Sequence, residues 1–143
     1  MPRRMLWTLL ILAALIAGWY AFEGAWNRRL FAPAPGCTCA NLSATEAKAW
    51  LAENPDTQVL DVRSAREFAD GALLDAVNIS LGDDDFRGRV ANLDRNKPVL
   101  VYCAGGYRSR KAVAVLKELR FANIQHIPRG YMSWQPQSNS SPP

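Results

Sequence analysis

The chain has 143 residues, 49% of them hydrophobic, with 17 Lys+Arg against 13 Asp+Glu, one histidine and three cysteines. That length leaves room for one small soluble domain, not two, once an apolar N-terminal stretch is set aside. A net charge of +4 is too mild for the dense basic stripe of a nucleic-acid binder, although it suits a small anionic substrate; so few cysteines and histidines exclude a disulfide framework and argue against a zinc site or a protease based on His126.

The first element runs from Met5 to Phe22, MLWTLLILAALIAGWYAF, without a charge. It is close to the ~20 residues that a bilayer-crossing helix needs. Trp7 near one end and Trp19, Tyr20 and Trp26 near the other sit where interfacial aromatics are common. A retained anchor competes with a cleaved signal. Bulky Trp19, Tyr20 and Phe22 and charged Glu23 interrupt the small-x-small pattern of a cleavage site, so a retained anchor over residues 1–26 is the expectation. Arg3, Arg4 and the amino terminus favour a cytoplasmic N-terminus, with Arg28 and Arg29 flanking the far side. A single-pass protein of the inner (cell) membrane with a periplasmic domain follows from that orientation.

Residues 27–42 hold Pro33, Pro35 and Gly36, show no amphipathic period and read as a linker. Within them, Cys37 and Cys39 are open to three readings: a disulfide, two free thiols, or a redox partner for Cys103. A domain over residues 43–136 and a disordered tail at 137–143 complete the expected layout. Ser43 and Glu46 form a capping box that opens a helix to about Asn54, and Ser64 and Glu67 form a second that opens a short helix ended by Gly71. Short strands are expected at 58–62, 77–79 and 123–127, and helices over 83–93 and 108–121. Val99–Tyr102 is a continuous apolar run of the kind found in central parallel strands. The alternation predicts an α/β fold, a small parallel sheet with helices on both faces, preceded by one N-terminal transmembrane helix.

The chemistry concentrates in Cys103-Ala104-Gly105-Gly106-Tyr107-Arg108-Ser109, between the end of that strand and the start of a helix. Ligands of open α/β sheets sit beyond the carboxyl ends of strands. Backbone N–H groups turned inward make an anion cradle there, and the helix adds its positive end. Gly105 and Gly106 permit the backbone angles of a tight cradle. A thiol in that position is expected to ionise more easily, with Arg108 adding charge and Ser109 capping the helix or donating to a bound sulfur species. Residues alone therefore give an activated thiolate that handles anions.

Asp61-Val62-Arg63, then Glu67-Phe68 and Gly71, then Ala76–Ile79, then the Cys103–Ser109 loop, then Arg129-Gly130 and Trp134, resemble the rhodanese family in order and spacing over roughly residues 43–134. The resemblance implies a Cys103 nucleophile that takes a sulfane sulfur from thiosulfate or a persulfide donor, holds it as a persulfide, and passes it to a thiol or cyanide acceptor. It implies that residues 104–109 bind the substrate, and no metal or organic cofactor. The chain departs from the family pattern at Gly71-Ala72, Asp75-Ala76 and Arg129, where Gly-His, Gly-Ala and a first closing glycine are familiar. The related cysteine-dependent phosphatases place five residues between Cys and Arg, whereas four stand here, which fits sulfur transfer better than phosphatase or arsenate reductase activity. A membrane-tethered module that only senses an anion or persulfide is the remaining alternative. Among supporting residues, Asp61 is expected to brace the loop, Arg63 and Glu67 to form a structural ion pair, Tyr107 to line the site mouth, and His126 to be structural.

Overall fold

The computed structural model describes residues 3–32 and 36–134, so the expected tail at 137–143 lies outside the described residues. The chain divides into two compact units, Met1–Ala32 and Pro33–Pro143. The first is a single helix, α1 (Arg3–Leu30). At ~1.5 Å per residue it is ~42 Å long, more than the ~30 Å of a hydrocarbon core. It is long and apolar enough to cross a membrane, and Leu6, Trp7, Leu12, Leu15, Trp19 and Phe22 are exposed along it.

The second unit alternates strands and helices: β1 (Thr38–Asn41), α2 (Ala44–Glu53), β2 (Gln58–Asp61), α3 (Ala65–Ala69), β3 (Ala76–Asn78), α4 (Phe86–Ala91), β4 (Val99–Tyr102), α5 (Tyr107–Glu118), β5 (Asn123–His126) and α6 (Gly130–Trp134). The five strands form one sheet in the order β1-β5-β4-β2-β3, and every pairing is parallel. Both capping boxes form: Ser43 and Glu46 exchange bonds at the start of α2, and Ser64 and Glu67 at the start of α3. The stretch read as a linker contains β1, which pairs with β5 from Thr38↔Asn123 to Asn41↔His126. This is a correction to the expected layout.

All four residues of β4 are buried. Side chains alternate along a strand, and Leu100 and Tyr102 join Ala47, Val59, Leu73 and Ile127 in a core that Leu51, Tyr131 and Trp134 close from α2 and α6. Val99 and Val101 point the opposite way, toward the face covered by Ala112, Val113 and Leu116 of α5. The α/β fold with helices on both faces of a parallel sheet is thus the one expected. Burial on both faces holds β4 rigidly, so the residue after it, Cys103, leaves the sheet at a fixed point.

Candidate active site

Cys103 follows β4 at the centre of the sheet and is 1% exposed. The chain then turns through Ala104, Gly105 and Gly106 into α5. Gly106 takes φ 99°, a left-handed conformation, and a Cβ there would lie 1.9 Å from the Pro128 carbonyl oxygen. Only glycine fits both demands. From the other side, Tyr131 N–H donates to the Cys103 carbonyl at 2.8 Å and Met132 N–H to that of Ala104 at 3.2 Å. Gly130, at φ 57°, makes that approach possible, since a Cβ would lie 2.2 Å from the Cys103 carbonyl oxygen.

Within this turn the Cys103 Sγ accepts the Gly106 N–H at 3.1 Å and the Ser109 hydroxyl at 3.4 Å. Burial pushes the thiol up, but the Ser109 hydroxyl, with the N–H groups of Ser109, Gly106 and Gly105, outweighs it and holds the pKa below its ordinary value. The expected cradle is present, with its donors on a sulfur.

Ser109 is fully buried and its Oγ lies 2.8 Å from His126 Nε2. The other ring nitrogen of His126 lies 2.7 Å from Asn41 Oδ1. Burial first, and then the charge of Arg110, push the His126 pKa down to about 4, so the ring is neutral near pH 7 and carries one proton. Cys103, Ser109, His126 and Asn41 therefore form a hydrogen-bonded chain from a buried sulfur to an exposed amide on β1. Which neighbour receives the Ser109 proton depends on which nitrogen of His126 is protonated. Sequence reasoning placed His126 as structural and passed over Asn41; the pairing of β1 with β5, four strand positions in register, is what joins them.

The charged residues pair differently from expectation. Arg63 binds Asp61, not Glu67: its Nε and Nη2 reach the carboxylate at 3.0 and 2.6 Å, with both side chains buried. Burial works against the Arg63 charge, but Asp61 outweighs it and raises the pKa. The guanidinium lies over the rings of Tyr131 and Tyr102 at 4.2 and 5.5 Å and donates to the Gly71 carbonyl at 2.6 Å. Asp61 thus braces the strand end beside Cys103 through Arg63, and burial followed by Asp61 pushes the Tyr102 phenol above its ordinary range.

Glu67 instead binds Arg108, through both oxygens, at 2.7 and 2.6 Å. Arg108 first, and the Ser64 N–H and hydroxyl after it, overcome burial and lower the Glu67 pKa to about 2. The loop arginine is therefore clamped to α3. Tyr107 is 58% exposed at the mouth, with Lys111 over its ring at 4.7 Å. Ala104 and Gly105 form the outer lip of the turn. Cys37 and Cys39 are disulfide-bonded to each other. They lie on the edge strand toward its N-terminal end, two strands from β4, while Cys103 lies beyond the C-terminal ends, so the bridge is no redox partner within reach of that thiol. Among the described residues no cluster of His, Cys, Asp and Glu could hold a metal.

Several known proteins are similar. A tRNA uridine(34) hydroxylase of Teredinibacter turnerae is 33% identical over 99 residues, covering 63% of this chain and 30% of that protein. One of Cytophaga hutchinsonii is 35% identical over 100 residues, covering 68% and 32%. The chain spans about a third of the length of these curated relatives. Among solved structures, a rhodanese-related protein of Thermoplasma volcanium matches with a TM-score of 0.56 at 31% identity, covering 66% of this chain and 89% of that one. A rhodanese-like domain protein of Staphylococcus aureus gives 0.60 at 26% identity, covering 69% and 94%. The family model for the rhodanese-like domain matches residues 43–137, and with the parallel sheet, the turn around Cys103 and these neighbours in agreement, the chain belongs to the rhodanese-like family.

Proposed function

We propose that the protein is a sulfurtransferase in which Cys103 carries the sulfur. The observation that supports this most is the Cys103 Sγ itself, held as an acceptor by the Gly106 N–H and the Ser109 hydroxyl and so favoured as thiolate. The thiolate attacks the outer sulfur of thiosulfate. The S–S bond of thiosulfate breaks, its electron pair leaves on sulfite, and Cys103 keeps a persulfide anion. A thiol or cyanide then attacks the terminal sulfur and the electron pair returns to Cys103. The N–H donors of the turn stabilise negative charge on the sulfur at each stage.

The Glu67–Arg108 clamp supports sulfur transfer over the phosphatase or arsenate reductase reading, because an arginine engaged by both carboxylate oxygens is not free to grip a tetrahedral oxyanion. The likeness to tRNA uridine(34) hydroxylases raises a second reading, hydroxylation of a tRNA uridine. It rests on a match to 30–32% of those proteins and is placed second. For location, we infer an anchor formed by α1 with the catalytic unit on the periplasmic side of the inner membrane. The length of α1 and the Cys37–Cys39 bridge, which suits an oxidising compartment, support that reading. Intact mass after thiosulfate treatment tests the function: wild type should gain one sulfur on Cys103, and Cys103→Ser none. A wild-type protein that never gains sulfur and yields no thiocyanate from cyanide would overturn the proposal.

A further inference from the structure

The loop arginine that would be expected to receive an anion is engaged by Glu67, so a second cation beside the loop would add to the attraction of an anionic donor. A cavity of ≈ 300 Å³ opens beside the loop, lined by Gly105, Arg129, Met132 and Ser133. A second, of ≈ 240 Å³, shares Arg129 and Ser133 and runs toward Leu42, Ser43 and Pro128. Arg129 is exposed, and among the described residues it makes no ion pair or hydrogen bond. Its backbone is nevertheless fixed close to the nucleophile, because the next three residues are pressed against Cys103 and Ala104 by Gly130 and by the N–H groups of Tyr131 and Met132. Of the other cations beside the site, Arg63 is buried on Asp61, and Arg110 and Lys111 lie over the Tyr107 ring. A guanidinium without a partner among the described residues, rooted beside the Cys103–Ala104 backbone and lining a cavity, suits a charged group on the molecule that the thiolate attacks.

We propose that Arg129 and the cavity between the Cys103 loop and α6 form an anion subsite that selects sulfane-sulfur donors bearing a negative group next to the transferable sulfur, of the thiosulfate or thiosulfonate type; this deepens the sulfur-transfer reading and rests on it. The cradle takes the outer sulfur, and the guanidinium takes the sulfonate oxygens. The cavity falls at the low end of the ~300–1,000 Å³ of small-molecule sites. It therefore has room for an organic group beyond the sulfonate, against the exposed Met132.

Charge-selective alkylation of the full-length chain tests the subsite without turnover. Cys37 and Cys39 are bridged, so iodoacetate (anionic) and iodoacetamide (neutral) both report on Cys103. Their rate ratio cancels any change in thiolate fraction. Arg129→Ala should lower the ratio by about fivefold, the size of a well-placed exposed ion contact. Arg129→Lys should recover part of it, and Arg129→Glu should lower it further. The KM for thiosulfate should rise by a similar factor in Arg129→Ala, with that for an uncharged organic trisulfide unchanged. A folded Arg129→Ala that forms the persulfide with the wild-type ratio and wild-type KM overturns the subsite. A ratio that falls in a protein whose wild type never gains sulfur upholds the subsite and overturns sulfur transfer.

Discussion

Replacing Ser109 with alanine removes a hydroxyl donor from the Cys103 sulfur. A hydrogen bond to a charged group contributes ~1.5–3 kcal/mol, and 1.4 kcal/mol corresponds to about one pKa unit. The Cys103 thiol should therefore ionise at a higher pH in Ser109→Ala, while the Gly106 N–H continues to donate. The same change leaves His126 Nε2, fully buried, without the hydroxyl that lies 2.8 Å away, at a stability cost of ~1–3 kcal/mol. Thiolate absorbance in the ultraviolet, followed against pH, reads the first effect, and urea unfolding reads the second. Ser109→Thr keeps a hydroxyl and should keep the pKa low. If a folded Ser109→Ala titrates where wild type does, the hydroxyl does not hold the thiolate and the account of the cradle is wrong.

His126 adds a pH dependence. Its pKa falls from 6.5 unfolded to about 4 folded, so the unfolded chain takes up the proton first; stability is full above pH 6.5 and declines toward pH 4, by up to ~3 kcal/mol. His126→Gln should flatten that slope in urea titrations. The Glu67 pKa moves from 4.5 to about 2, so the Glu67–Arg108 contribution is present above 4.5 and fades between 4.5 and about 2. Both side chains are about a third exposed, so Glu67→Gln should cost under ~1 kcal/mol by thermal melting at neutral pH. Gly106→Ala places a methyl against the Pro128 carbonyl at a positive φ and should cost at least ~1–3 kcal/mol, with slower Cys103 alkylation. The full chain should stay with membranes through carbonate extraction; a mature N-terminus near Ala25, found by mass spectrometry, would show a cleaved signal instead.

Local signals carried most of the fold. Each capping box is a pair of residues three apart, and β4 is a run of four apolar residues, so both can be read without knowing what they pack against. The loop was legible for the same reason. β1 was not, because Pro33, Pro35 and Gly36 precede it and its exposed edge position gives it no alternating pattern; its partner is β5, far along the chain. The ion pairs failed on geometry. Arg63 and Glu67 stand four apart, which suits neighbours on a helix, but Arg63 precedes the Ser64 cap and continues from the strand. Two residues earlier, Asp61 lies on the same side of the extended chain and is its partner. The chain through Ser109, His126 and Asn41 joins three separate elements, and no spacing in the sequence announces it.

The position of β1 decides where this protein can be cut. The family match begins at residue 43, which invites a soluble fragment starting at the Ser43 cap. Such a fragment would lack the edge strand, expose the backbone of β5 from Asn123 to His126 as a new edge, and take the Asn41 amide away from the histidine behind the Cys103 thiol. An open parallel edge recruits other strands, so aggregation and a disturbed thiol would arrive together. A fragment meant to report the native chemistry has to begin ahead of Cys37, on the α1 side of the disulfide.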